Sequence, residues 1–196
     1  VELDVKISPL RWLDITGMFS LGDWKWDSNA TGYAYDDKGT PLKEDGTQAS
    51  GIGAPDHVSA SINLKGVRVG GSAQTTAALG ATFKIGKSIR VGADWTYFGR
   101  NYAYYSFSGS DLKLGKEISI AEPWKIPSAS QIDMNASYRF KIGKLNAMLS
   151  GNVNNLLNYQ YISKAYNPKS GVVSDETIYC YYAFGRTYSL RLRVNF

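Results

Sequence analysis

Tyr188-Ser189-Leu190-Arg191-Leu192-Arg193-Val194-Asn195-Phe196 is the stretch that decides the fold. Successive side chains of an extended strand point to opposite faces. Tyr188, Leu190, Leu192, Val194 and Phe196 therefore share one face, and Ser189, Arg191, Arg193 and Asn195 share the other. A soluble sheet usually buries its apolar face and turns its charges to water. A membrane barrel inverts this, with apolar side chains against lipid and polar ones in the lumen. Two arginines on the polar face and a final aromatic fit the second arrangement.

The same alternation recurs upstream. Residues 145–162 open with Leu145, Ala147 and Leu149 against Asn146, Met148 and Ser150. A tight turn, Ile142-Gly143-Lys144, leads back to residues 129–141, where Ile132, Met134, Ala136, Tyr138 and Phe140 oppose Gln131, Asp133, Asn135, Ser137, Arg139 and Lys141. Residues 89–106 set Ile89, Val91, Ala93, Trp95 and Tyr97 against Arg90, Gly92, Asp94 and Thr96, and Gly86-Lys87-Ser88 joins them to residues 74–85. Residues 12–26 and 1–8 form the first pair, with Pro9-Leu10-Arg11 between them. Long stretches rich in turn formers cover residues 27–57, 107–128 and 163–177. Residues 58–69 alternate too, but Gly66, Gly70 and Gly71 interrupt them, and they read as a strand-like arm of the first long loop.

The pattern is strand, short turn, strand, long loop, three times over, with a final strand: seven spanning strands in all. Short turns on one side and long loops on the other mark an outer-membrane barrel. Aromatics sit where such a barrel meets its two interfaces. Trp12, Phe83, Tyr138, Phe140 and Phe196 lie near the short turns, and Trp24, Trp26, Trp95, Tyr97 and Tyr182 near the long loops. Seven strands cannot close as an ordinary antiparallel barrel, so residues 1–196 are expected to be the C-terminal part of a larger one.

Composition agrees with that class. The 196 residues are 43% apolar and 20% charged, so the chain is not of disordered type. No apolar run approaches the ~20 residues of a spanning helix, and mean hydropathy is −0.27, which says nothing against strands that cross a membrane. The 14 Tyr and 5 Trp suit surfaces that are apolar at one end and wet at the other, a membrane interface or a sugar-binding face alike. The net charge of +5 is spread without a phosphate-tracking cluster, and nucleic acid is not an expected partner.

Chemistry-bearing motifs are sparse, and neither an enzyme nor a cofactor is expected. His57 has no ligand companions and reads as a satisfied loop histidine. Cys180 reads as a small strand residue, and the acidic turns Asp36-Asp37-Lys38-Gly39 and Glu44-Asp45-Gly46 lack calcium-loop spacing. The tyrosines are the candidate site. Tyr33 and Tyr35, then Tyr102, Tyr104 and Tyr105, then Tyr179 and Tyr181 with Tyr182, all lie at or beyond long-loop ends. They form either a ligand-facing surface for sugar rings or an aromatic siderophore, or an interface girdle with loop packing. Arg191 and Arg193 project into the lumen.

Several segments resemble the C-terminal region of TonB-dependent receptors, in particular the Bacteroidetes type that includes SusC-like transporters. The residues that carry this are Gln74 through Ala81, Asp94 through Ala103, Trp124-Lys125-Ile126-Pro127 with Asp133 through Tyr138, Gly151-Asn152-Val153-Asn154-Asn155-Leu156-Leu157 with Tyr161, and Gly185 through Phe196. The resemblance implies an antiparallel barrel of about 22 strands around an N-terminal plug, in the outer membrane of a Gram-negative bacterium. It implies import of a scarce or large nutrient, a glycan or siderophore, driven by the TonB complex. Arg191 and Arg193 would then pair with acidic groups of the plug, and Phe196 would resemble the signal read by the barrel assembly machinery. A SusD-like surface lipoprotein is a possible companion. Two other readings compete: a complete small barrel of eight strands, with residues 58–69 as the eighth, in a structural or adhesion role; and a soluble β-sandwich binding module with aromatic loops.

Overall fold

The computed structural model describes residues 1–106, 116–169 and 171–195. In chain order the strands are β1 (Glu2–Leu10), β2 (Leu13–Leu21), β3 (Ala30–Tyr33), β4 (Ser59–Asn63), β5 (Thr75–Ile85), β6 (Ile89–Gly99) and β7 (Asn101–Tyr102). Then come β8 (Lys116–Ser119), β9 (Lys125–Ile126), β10 (Ala129–Ile142), β11 (Leu145–Asn154), β12 (Ile162–Tyr166), β13 (Tyr179–Tyr182) and β14 (Thr187–Asn195).

Seven of these make one antiparallel sheet in the order β1-β2-β5-β6-β10-β11-β14. They are 9 to 14 residues long, enough to cross a bilayer at a tilt. Register carries the alternation across strands without a slip of face. Leu3 sits opposite Phe19, which is opposite Ala77, which is opposite Tyr97. Val91 faces Ala136, Ala136 faces Gly151, and Gly151 faces Leu190. A one-residue slip anywhere would move a whole strand's apolar set to the wrong side. That apolar face is open to its surroundings: Leu79, Phe83, Tyr138, Leu190 and Leu192 are all exposed, as a lipid-facing surface must be.

The short turns join strands at one edge. In the β10–β11 hairpin Ile142 pairs directly with Leu145, and Gly143 takes φ +60°, the first-position glycine of a type II′ turn. β1 runs through Pro9 to Leu10, with a register shift between Ile7 and Leu10, so the first turn is Arg11-Trp12 rather than Pro9-Leu10-Arg11. The proline is tolerated in β1 because it sits at that register shift, where the ladder is interrupted.

At the other edge the spanning strands stop earlier than the alternation in the sequence predicts. β2 ends at Leu21 rather than 26, β6 at Gly99 rather than 106, and β11 at Asn154 rather than 162. Arg100 and Asn155 stand just past two of these ends with φ 48° and 51°. A residue in the left-handed region turns the chain out of the ladder.

Of the spanning sheet, only Ala129 and Ala147 belong to the buried apolar core among the described residues. That core lies almost wholly in the long loops, which pack into a lobe on that edge. Ala60, Ile62, Leu64 and Ile118 form one cluster, and Ala103, Ile126 and Ala165 another. β4 pairs with β3 and, in parallel, with β8 of the second loop. Residues 58–69 thus supply a loop strand and not an eighth spanning strand of this sheet, which does not favour the eight-stranded barrel. β1 and β14 are its two edges, and with an odd number of antiparallel strands they run in the same direction and cannot close on each other as an antiparallel pair.

Candidate functional site

The loop lobe is fixed to the sheet by named polar groups. Arg100 donates from Nε to Thr75 Oγ1 at 2.9 Å and from its terminal nitrogen to the Gly22 and Gln74 carbonyls. One side chain so ties the tops of β2, β5 and β6. Asn155 does the same for the third loop. Its amide donates to the Tyr159 carbonyl at 2.9 Å and accepts from the Tyr159 N–H at 2.9 Å, while its own N–H donates to Asp133 at 2.7 Å. Asn152 and Asn154 of the same segment donate across to Ser189 and Thr187, each at 3.1 Å. The segment Gly151 through Leu157 is therefore a hydrogen-bonding device that ends β11 and aligns β14.

The three loops also bind one another. Arg68 of the first loop pairs with Glu122 of the second at 3.1 Å, and Trp124 donates its indole N–H to Asp175 of the third at 2.7 Å. Asn167 accepts the Trp124 backbone N–H at 3.0 Å, and Tyr104 bridges in parallel to Tyr166.

Within this lobe the candidate tyrosines divide. Tyr33 and Tyr35 clamp His57, at ring separations of 4.8 and 4.9 Å. His57 is 1% exposed and fully satisfied: the Gly53 N–H donates to Nδ1 at 3.0 Å, so Nε2 carries the proton and donates to the Ala34 carbonyl at 2.8 Å. Tyr105 packs edge-on to Trp26 and against the first core cluster. Trp26 accordingly belongs to the loop packing and not to a lipid girdle. Tyr102 is 6% exposed beneath the Arg68 guanidinium, so its ring packs in the core of the lobe.

The remaining candidates meet. Tyr104 stacks on Tyr166 at 5.2 Å, and Tyr181 meets Tyr166 edge-on at 6.0 Å. The Lys164 ammonium lies over both stacked rings, 5.0 Å from Tyr104 and 4.8 Å from Tyr166. Its hydrogen bond to Tyr166 holds it protonated above the ordinary lysine range. Tyr179 and Tyr181 are well exposed. Lys164 and Tyr166 were not singled out from the sequence, although their spacing of two on a strand was a usable sign that both share a face. Half-buried Cys180 has its thiol pushed up by burial, which disfavours a reactive thiolate.

Below the lobe, a cavity of about 370 Å³ lies between the polar face of the sheet and all three loops. Thr76 and Phe98 form its floor, with Asn101, Ile126, Tyr161 and Ser163 around it. Tyr161 reaches down to Gln131 at 3.1 Å. Arg191 and Arg193 stand on the polar face near the opposite edge, in register with Ser150 and Met148. Phe196 lies outside the described residues.

Residues 1–156 match the family model described as TonB dependent receptor-like, beta-barrel. Among solved structures, the chain is similar to the siderophore receptor PiuA from Acinetobacter baumannii, with TM-score 0.53 and 21% identity over 100% of this chain and 21% of that one. At that identity the likeness is one of fold, and the chain spans about a fifth of that receptor's length. Curated protein sequences gave no match.

Proposed function

As the chain belongs to the TonB-dependent receptor-like β-barrel family and so to the outer membrane, we propose that it is the late, C-terminal part of a barrel of about 22 strands that imports a scarce or large nutrient with energy from the TonB complex. The observation that carries this is the sheet itself: seven spanning strands, an apolar outer face in continuous register, and two edge strands that cannot pair with each other. Each of those edges needs a further strand, since an open sheet edge is not tolerated in the hydrocarbon region. The polar face then lines a lumen that a plug fills, and Arg191 and Arg193 face that plug. Phe196 serves recognition by the barrel assembly machinery.

The nutrient we propose is a glycan or an aromatic siderophore, received by the loop lobe. Tyr104, Tyr166 and Tyr181 with Lys164 support this, because flat rings beside a fixed cation suit stacking on either ligand. The finer form of this reading is a SusC-like receptor with a SusD-like lipoprotein, and the resemblance of the segments Gly151 through Leu157 and Gly185 through Phe196 supports it. The test is uptake by cells carrying the intact receptor, with oligosaccharides and ferric siderophores as separate probes. Uptake of one class that disappears on loss of TonB, and weakens when Tyr166 and Tyr181 are both changed to Ala, is the expected result. Uptake indifferent to TonB would overturn the transporter reading. Unchanged binding by the correctly assembled double variant would remove the tyrosines from it.

A further inference from the structure

One concavity of the spanning sheet opens on its apolar face. It is a groove of about 590 Å³ across β6, β10, β11 and β14. Its floor is Ala136 and Gly151, which face each other in register, with Val91 at one end of the row and Leu190 at the other. Met134, Val153 and Tyr188 form the next row toward the loops, and Tyr138, Leu149 and Leu192 the next toward the turns. Large side chains on both sides of a bare floor leave the hollow.

The packing of this chain does not account for that floor. A glycine inside a strand weakens it, and marks a bulge, a bend or the close approach of a ligand or another backbone. Gly151 lies in the unbroken ladder of β11. A Cβ there would meet nothing nearer than Leu190 and the Ser189 carbonyl, both at 3.7 Å, which is ordinary contact.

A cation stands at the loop end of the groove. The four lining strands carry no charged side chain on this face. Arg186, just before the start of β14, is exposed and donates to the Tyr188 hydroxyl at 3.3 Å. Its backbone N–H donates to the Asn158 side chain at 2.9 Å. Among the described residues it forms no ion pair. Tyr188 takes one of the five donors of the guanidinium and leaves the others for an anion.

We infer that this groove seats an acyl chain of a phosphate-bearing lipid of the outer leaflet, and that Arg186 holds the lipid's phosphate. The long loops of such barrels face outside, so a groove at the loop end of the strands lies in the outer leaflet. Such a lipid is ordered as the site is, with charge at the interface and an apolar chain below it. Tyr188 marks the interface level, where its ring is apolar and its hydroxyl wet. Arginine meets phosphate with two parallel donors. The inference rests on the family's place in the outer membrane and not on the nutrient carried.

The test uses the full-length receptor, stripped of lipid in detergent and followed by native mass spectrometry, with heat-modifiable mobility as the check on assembly. The probes are lipid A, its dephosphorylated form with the same acyl chains, and inorganic phosphate. A single lipid A should stay bound under conditions that remove the rest. Gly151→Leu fills the groove and should weaken retention about tenfold or more, as the loss of a few buried methylenes implies. Arg186→Gln should weaken it about as much, the worth of a charge-assisted hydrogen bond, and Arg186→Lys less. The dephosphorylated lipid should bind the original receptor no better than lipid A binds the Gln variant, and excess phosphate should not displace lipid A. If Gly151→Leu fails to assemble, Ala136→Leu on the same row takes its place. Retention unchanged by filling the groove, or by loss of the phosphate, would overturn the site. Displacement by phosphate alone would also overturn it, as would a dimer that Gly151→Leu dissolves, since the groove would then belong to a second copy. None of these results touches the dependence of uptake on TonB.

Discussion

At the scale of single residues, the polar side chains at the loop edge do more structural work than the tyrosines that first draw notice. Asn155 combines a left-handed φ with three hydrogen bonds from its amide and one from its N–H. Asn155→Ala should destabilise the assembled receptor by about 2–4 kcal/mol, the sum of lost buried hydrogen bonds and the backbone cost of a Cβ residue less suited to positive φ. Asn155→Gly relieves only the second part and should fall between. Urea unfolding of the receptor in micelles measures both. Three loop carboxylates act at the same scale. The Thr40 N–H, donating at 2.7 Å, holds the Asp36 carboxyl below the usual range. Hydrogen bonds from Thr47 do so for Asp45, and from Ser50 for Asp56. A carboxyl whose folded value is lowered stabilises fully above its unfolded value and loses that contribution as pH falls through the folded one. Hydrogen-exchange protection in residues 36–57 should therefore be flat above pH 3.8, the ordinary carboxyl value, and drop below it. Protection already lost at higher pH would mean that these bonds do not hold the loop.

At the scale of elements, the spanning strands were legible, and of the loop strands only the arm at residues 58–69 was. Strict alternation over nine or more residues has one physical meaning, two faces in two solvents, and it located all seven strands of the sheet. It could not locate their outer ends. Residues 89–106 read as one strand, but at Arg100, which has a positive φ and whose side chain bonds to Thr75 and the Gly22 carbonyl, the ladder stops. Alternation in residues 58–69 did mark β4, but its partners β3, within the same loop, and β8, from the second loop, are set by contacts that no local period records. The burial of Tyr102 and the Lys164–Tyr166 pair were hidden for the same reason. A test at this scale uses neighbours on opposite faces of β10. Ala136 faces the apolar side and Asn135 the polar side. Ala136→Arg should cost about 2–4 kcal/mol if it lies near the bilayer midplane, and Asn135→Arg about 1 kcal/mol or less. Refolding of the intact receptor into lipid vesicles, followed by denaturant titration, reads the difference. Equal costs would place both residues in one environment.

At the scale of the whole molecule, the chain joins two structures with different logic. The sheet keeps its apolar face open for lipid and its polar face for a lumen, and so has almost no core of its own. The lobe has its own buried clusters, and a cavity above Thr76 and Phe98 lies between it and the sheet. The account stands on which side of the sheet meets lipid. Spin labels placed singly at positions 132 to 139 of β10 in the intact receptor, with Cys180 replaced by Ser and the protein in vesicles, measure this directly. Oxygen, which partitions into lipid, should reach the even positions, Ile132, Met134, Ala136 and Tyr138, and a period of two should run through the series. Oxygen access peaking at the odd positions, or varying with no period of two, would contradict the membrane-spanning sheet.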